Sequence, residues 1–187
     1  MRSYLLTFAR LGDHYRYHEQ YEKSGIPVYA PFLDGEPPTG MVKGIWNFTI
    51  KPFENPHGES TSFGFYIQHD RLGKLLFITD AEYVKYDFSA LKVNHILIEC
   101  NWQDGMVDYD SPNFRHKVTG HMNLQTCKDF VKHNASNELH NVILIHWSET
   151  TIDLDHAVEE IKSVCDVDVN VVIAESGLEI ELKKEVL

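Results

Sequence analysis

The sequence predicts one mixed α/β domain, with strands leading and helices interleaved among the later strands. Three observations carry this. Short apolar runs recur along the chain, and several stop at a His or an Asp. Stretches with helical spacing of apolar residues lie between the later runs. The chain has 187 residues, 43% of them hydrophobic and 12% aromatic, which is enough for one real core and too apolar for a disordered chain.

Taken in order, Ser3 to Thr7 is a short apolar run and reads as a strand. Asp13 to Lys23 reads as a helix, with Asp13 suited to its start and Gly25 just past its end. Ile26 to Ala30 reads as the next strand. Leu33 to Gly44 holds three Gly and two Pro and reads as loop. In Ile45 to Phe53, Trp46, Phe48 and Ile50 alternate with Asn47, Thr49 and Lys51, the period of a half-buried strand; Ser62 to His69 is a second β run. Lys74 to Thr79, His95 to Cys100 and Asn141 to Ile145 are continuous apolar runs, as expected of strands covered on both faces. Leu124 to His133 and Asp155 to Val164 read as helices. Val169 to Ala174 and Leu178 to Leu182 read as a closing hairpin around Ser176-Gly177. No repeat, linker or low-complexity tract divides the chain, so residues 1–187 are expected to form a single domain.

Composition narrows the function classes. A net charge of −11 repels nucleic acid over the surface as a whole, so a polynucleotide would need a local cation; small or terminal substrates fit better. Cys100, Cys127 and Cys165 are odd in number and far apart, which argues against a disulfide framework or a cysteine zinc site. The chain opens without a basic-then-apolar leader, and no apolar run reaches membrane-spanning length. A cytoplasmic protein without membrane contact is the expectation.

The chemistry lies at the ends of the apolar runs: Asp13-His14, His57, Asp80, Gly120-His121-Met122-Asn123 and His146. Strands hold a backbone rigid and deliver the residue just past their end to one edge. Imidazole and carboxylate donors in that arrangement suit zinc, manganese or iron. Each residue also has a plainer reading. Asp13 and His14 would serve as a helix cap and a first-turn polar residue. His57 lies in a loop flanked by Pro and Gly, where exposed histidine is common. Asp80 ends a strongly apolar run and needs a cation or a cap. His121 sits near the start of a helix, and Glu99 ends a strand in the same layer, where it is either near the site or structural. His69, His95, His116, His133, His140 and His156 read as solvated or edge positions.

These residues, in this order, resemble the metallo-β-lactamase superfamily, in particular the tRNase Z-type nucleases and related bacterial and phage hydrolases. The likeness runs from about Leu5 to Leu182. Such proteins carry a Thr-His-x-His-x-Asp-His stretch after a strand; here Leu6-Thr7 leads to Asp13-His14, and Ile26-Pro27-Val28-Tyr29-Ala30 matches the strand that follows. Pro52-Phe53 to His57 resembles the family's lone His. Phe77-Ile78-Thr79-Asp80 resembles the element with the bridging carboxylate, Gly120-His121-Met122 the Gly-His element, and Ile145-His146-Trp147-Ser148 the last His element. The likeness implies an α/β (α+β) αββα sandwich, missing some strands that relatives carry ahead of the first motif.

The likeness also implies roles. Asp13, His14, His57, Asp80 and His146 would be metal ligands, with zinc as the expected ion and manganese as the alternative. Asp80 and His121 would be catalytic, His121 acting on phosphate rather than holding metal. Phe8-Ala9-Arg10 stands where the family has His-x-His, and a guanidinium cannot replace a neutral imidazole. The first metal site therefore keeps His57 and Asp80, and the second keeps Asp13, His14, Asp80 and His146. His18, one turn after His14, stands as a substitute ligand or a surface residue. Arg10 would instead meet a substrate phosphate. The implied activity is phosphodiester hydrolysis by a metal-activated water, of nuclease or nucleotide phosphodiesterase type, on a nucleotide or nucleic-acid end. The alternative is an inactive relative used for binding or assembly. A sheet edge left open by missing strands would favour a homodimer.

Overall fold

In a computed structural model of the chain, the residues described are 6–7, 18–25, 28–29, 43–45, 47–110, 114 and 118–185. Their elements in chain order are β1 (Leu6–Thr7), α1 (His18–Lys23), β2 (Val28–Tyr29), β3 (Lys43–Ile45), β4 (Phe48–His57), β5 (Ser60–His69), β6 (Gly73–Ile78) and β7 (His95–Glu99). They continue with α2 (Leu124–Asn134), β8 (Asn141–Ile145), α3 (Leu154–Lys162) and β9 (Asn170–Ile173). A single 3-10 turn, Ser89–Leu91, precedes β7.

One mixed sheet of seven strands, ordered β3-β4-β5-β6-β7-β8-β9, organises these residues; β1 and β2 form a separate parallel pair. Strands β3 to β6 meander in antiparallel fashion, while β6, β7, β8 and β9 run parallel. Because β4 and β6 both lie antiparallel to β5, their C-terminal ends and those of β7, β8 and β9 reach the same edge of the sheet. That edge is where an open α/β sheet places ligands.

The continuous apolar runs occupy the middle of the sheet because both faces are covered. Leu76, Ile78, Ile96, Ile98, Val142 and Leu144 point to a core shared with Cys127, Phe130 and Val131 of α2 and Ala157 and Ile161 of α3. On the other face, Ile50, Phe63, Phe65, Ile67 and Leu75 form a second cluster. Each fully buried branched side chain here contributes roughly 1.5–3 kcal/mol relative to exposure. At the N-terminal ends of the parallel strands a polar latch closes the sheet: Asn170 donates to Asn141, and Asn141 donates to His95 Nδ1.

Five readings of the sequence need correction. The run Ile45 to Phe53 is two strands, since Ile45 pairs with Phe48 across a tight turn that the apolar/polar alternation conceals. Lys43 and Gly44, read as loop, belong to β3. His57 is the last residue of a ten-residue strand, joined to β5 by the two-residue turn Gly58-Glu59, and is not in a loop. The closing hairpin is absent: after β9 the chain makes no further strand among the described residues, Leu182 packs on the second cluster, and Lys184 N–H donates to Arg71 C=O. His95, read as solvated or at an edge, is fully buried. The expected roles of Asp13, His14 and Arg10 fall outside the described residues, as do most of the helix and strands proposed around them. All three cysteines are free. No described helix is long and apolar enough to cross a membrane.

Candidate metal centre

Five donors meet at the C-terminal edge of the sheet. His57 ends β4, Asp80 follows β6 by two residues, Glu99 ends β7, His146 follows β8 directly, and His121 sits in the turn ahead of α2. Their donor atoms form two overlapping triads, His57–Asp80–His121 and Glu99–His121–His146, each with all three atoms within 4.8 Å of one another. The rings of His57 and His121 meet edge-on at 5.1 Å, and those of His121 and His146 at 5.2 Å.

The local backbone explains the convergence. Asp80 and His146 both leave their strands in the left-handed region, with φ of 51° and 52°, which turns each side chain out of the strand's alternation and towards the centre. Asp80 is 1% exposed; Ser62 Oγ donates to its carbonyl, and Thr79 Oγ1 donates to its carboxylate at 3.2 Å. Asn101 holds the other turn by donating to His146 C=O at 2.7 Å. Trp102 Nε1–H donates to His121 C=O at 3.1 Å, tying the helix-start turn to the segment that follows β7.

Glu99 is the electrostatic hub, and it is completely buried. Oε1 lies 2.6 Å from His121 Nδ1 and 3.4 Å from His146 Nδ1, and Oε2 accepts from Ala81 N–H at 2.9 Å. Burial by itself pushes this carboxyl upward, yet the hydrogen bonds and charge of His121 and His146 outweigh it and hold Glu99 below the usual carboxylate range. An ionised Glu99 can only accept, so His121 carries its proton on Nδ1 and leaves Nε2 for chemistry. His146 Nδ1 also lies 3.6 Å from Asp80 Oδ1. Beside His121 opens a cleft of about 490 Å³ lined by Glu82, Tyr83, Trp102, Asn123 and Thr126.

Sequence reasoning singled out His57, Asp80, His121 and His146, and the structure brings all four together. Glu99 was only half seen: a carboxylate ending an apolar strand looks the same whether it caps, packs or receives two imidazoles. Three imidazoles and two carboxylates are the donor chemistry of a borderline-hard divalent cation. The fit is good, because the second nitrogen of two rings is already tied: His121 Nδ1 to Glu99 and His57 Nδ1 to Gly120 C=O, at 2.6 Å each.

No family model matches the sequence, and no curated protein matches it either. Solved structures do match. YhfI of Bacillus subtilis, a metallo-β-lactamase fold protein, superposes with a TM-score of 0.66 at 18% identity, covering 93% of this chain and 76% of YhfI. The chain has the metallo-β-lactamase fold. A diphosphatase from the PhnP family shares that fold at a TM-score of 0.52 and 10% identity, over 95% of this chain and 57% of its own. A possible metal-dependent hydrolase from Veillonella parvula gives 0.55 and 13%, over 94% and 66%. This chain thus spans less than two thirds of the latter two. The neighbours thus include a diphosphatase and a possible metal-dependent hydrolase, and the five donors of this chain sit where its sheet presents its carboxyl ends.

Proposed function

We propose that this metallo-β-lactamase-fold protein is a metal-dependent phosphodiester hydrolase acting on a nucleotide or a nucleic-acid end. One observation carries the reading: a fully buried, ionised Glu99 pairs with His121, which belongs to both donor triads and also lines the adjoining cleft. His57 with Asp80, and Asp80 with His146, would hold a divalent cation, zinc or manganese, with Asp13 and His14 adding donors to the second set on the family likeness. A cation bound there lowers the pKa of water to about 7 and offsets phosphate charge.

The remaining roles belong to the chain itself. Glu99 holds the His121 ring in one tautomer and stabilises it when charged, so Nε2 can deliver a proton to the departing oxygen. The walls of the cleft, Tyr83 and Trp102, bound the space in which that oxygen lies. Arg10 would pair with a phosphate oxygen and so supply positive charge where the family's His-x-His is missing.

The test combines metal analysis with turnover of a chromogenic phosphodiester in added zinc or manganese. His146→Ala is expected to lose most of its bound metal. His121→Ala is expected to keep its metal while turnover falls roughly 100-fold or more. Metal loss in His121→Ala would make His121 a ligand instead. A fully loaded wild-type protein that turns over no phosphodiester would favour the binding-module alternative.

A further inference from the structure

Glu82 lies outside the donor set, yet it is built into the structure that aims two of the donors. Its Oε1 accepts from the backbone N–H of Gly58 at 2.8 Å and from that of Gly120 at 3.0 Å. Gly58 is the residue after His57, and Gly120 the residue before His121. Glu82 is itself anchored, its own N–H donating to Pro56 C=O at 2.9 Å. One carboxylate oxygen therefore joins the β4–β5 turn to the turn ahead of α2, two segments more than sixty residues apart that have no strand pairing with each other.

The consequence reaches the ring of His57. With Gly120 N–H held by Glu82, the carbonyl of Gly120 accepts from His57 Nδ1 at 2.6 Å. A carbonyl cannot donate, so His57 must carry its proton on Nδ1 and keep the Nε2 lone pair free for a cation. Only glycine fits between the two contacts: Gly120 has φ of 91°, and a Cβ there would lie 2.6 Å from His57 Nδ1. The same turn then delivers His121 to Glu99.

We infer that Glu82 is a positioning residue of the metal centre, clamping Gly58 and Gly120 so that His57 presents Nε2 and its ring meets that of His121 edge-on. The metal arm of this inference rests on the centre proposed above; the tautomer arm does not.

The experiment compares wild type with Glu82→Gln and Glu82→Ala. Gln retains an oxygen acceptor for the two amides, and Ala does not. In metal-free protein, imidazole 15N NMR is expected to show His57 as a single Nδ1–H tautomer in wild type and Glu82→Gln, and as a tautomer mixture in Glu82→Ala. Zinc affinity, measured by competition with a chromophoric chelator, is expected to fall roughly 10- to 100-fold in Glu82→Ala and to recover in Glu82→Gln. Gly120→Ala, which displaces the same ring by crowding, is expected to reproduce the Glu82→Ala pattern. A wild-type His57 tautomer in Glu82→Ala would overturn the inference, as would Glu82→Gln behaving like Ala. If the tautomer shifts as expected while wild type binds no zinc, the clamp stands and the proposed metal centre falls.

Discussion

His95 and Glu99 open and close the same five-residue strand, are both fully buried, and were hard to read for the same reason. A polar residue flanking an apolar run carries no mark of what it faces. Glu99 meets two imidazoles; His95 Nε2–H donates to Leu72 C=O at 3.0 Å while its Nδ1 accepts from Asn141. Burial, more than the charge of His140 nearby, pushes the His95 pKa down to about 4. The sign of the consequence is definite. Above pH 6.5 His95 is neutral folded or unfolded and contributes nothing; as pH falls from 6.5 towards 4 only the unfolded chain takes the proton, so stability is lost, by up to about 3 kcal/mol. Urea titrations across that range are expected to show a steep acid-side loss in wild type. His95→Gln, though less stable at neutral pH, should show a visibly shallower one. An unchanged slope in the variant would assign the acid sensitivity elsewhere.

Among the elements, those with a single strong signal were legible. The parallel strands announced themselves as unbroken apolar runs, and α2 by its spacing and by Asn123 before it. Asn123 is the N-cap, its side chain accepting from Gln125 N–H at 2.7 Å, and it also bridges to Trp102. Asn123→Ala is expected to cost about 1 kcal/mol in a urea titration. A cost near zero would mean that packing of Leu124 and Cys127 alone fixes the helix start. Elements set by tertiary context were not legible. The segment Leu178 to Leu182 alternates as a strand should, but β9 takes its place beside β8 in parallel, and Leu182 finds its burial on the opposite face. The turn between Ile45 and Phe48 was hidden because its residues continue the alternation on either side.

At the scale of the whole molecule, the fold class and the edge carrying the site were readable, because strand ends convert sequence order into spatial proximity. His57, Asp80, His121 and His146 are spread over about half the chain, and the sheet gathers them. What sequence could not supply was the clamp and hub around them, Glu82 and Glu99, whose partners lie on other strands. The backbone at Asp80 and His146 has one more implication. Among the described residues only these two and Lys92 occupy positive φ without being glycine, a conformation that costs a side-chain-bearing residue about 1 kcal/mol. Evolution for durability alone would favour glycine at both turns and would erase the donors in doing so. Metal-free His146→Gly is accordingly expected to be more stable than His146→Ala by about 1 kcal/mol, read from paired melting curves. Equal stabilities would show that the turn imposes no such cost. On the function proposed above, chemistry and robustness pull this chain in opposite directions at the same two residues, and stabilised variants sought by random mutagenesis are then expected to include inactive ones altered there.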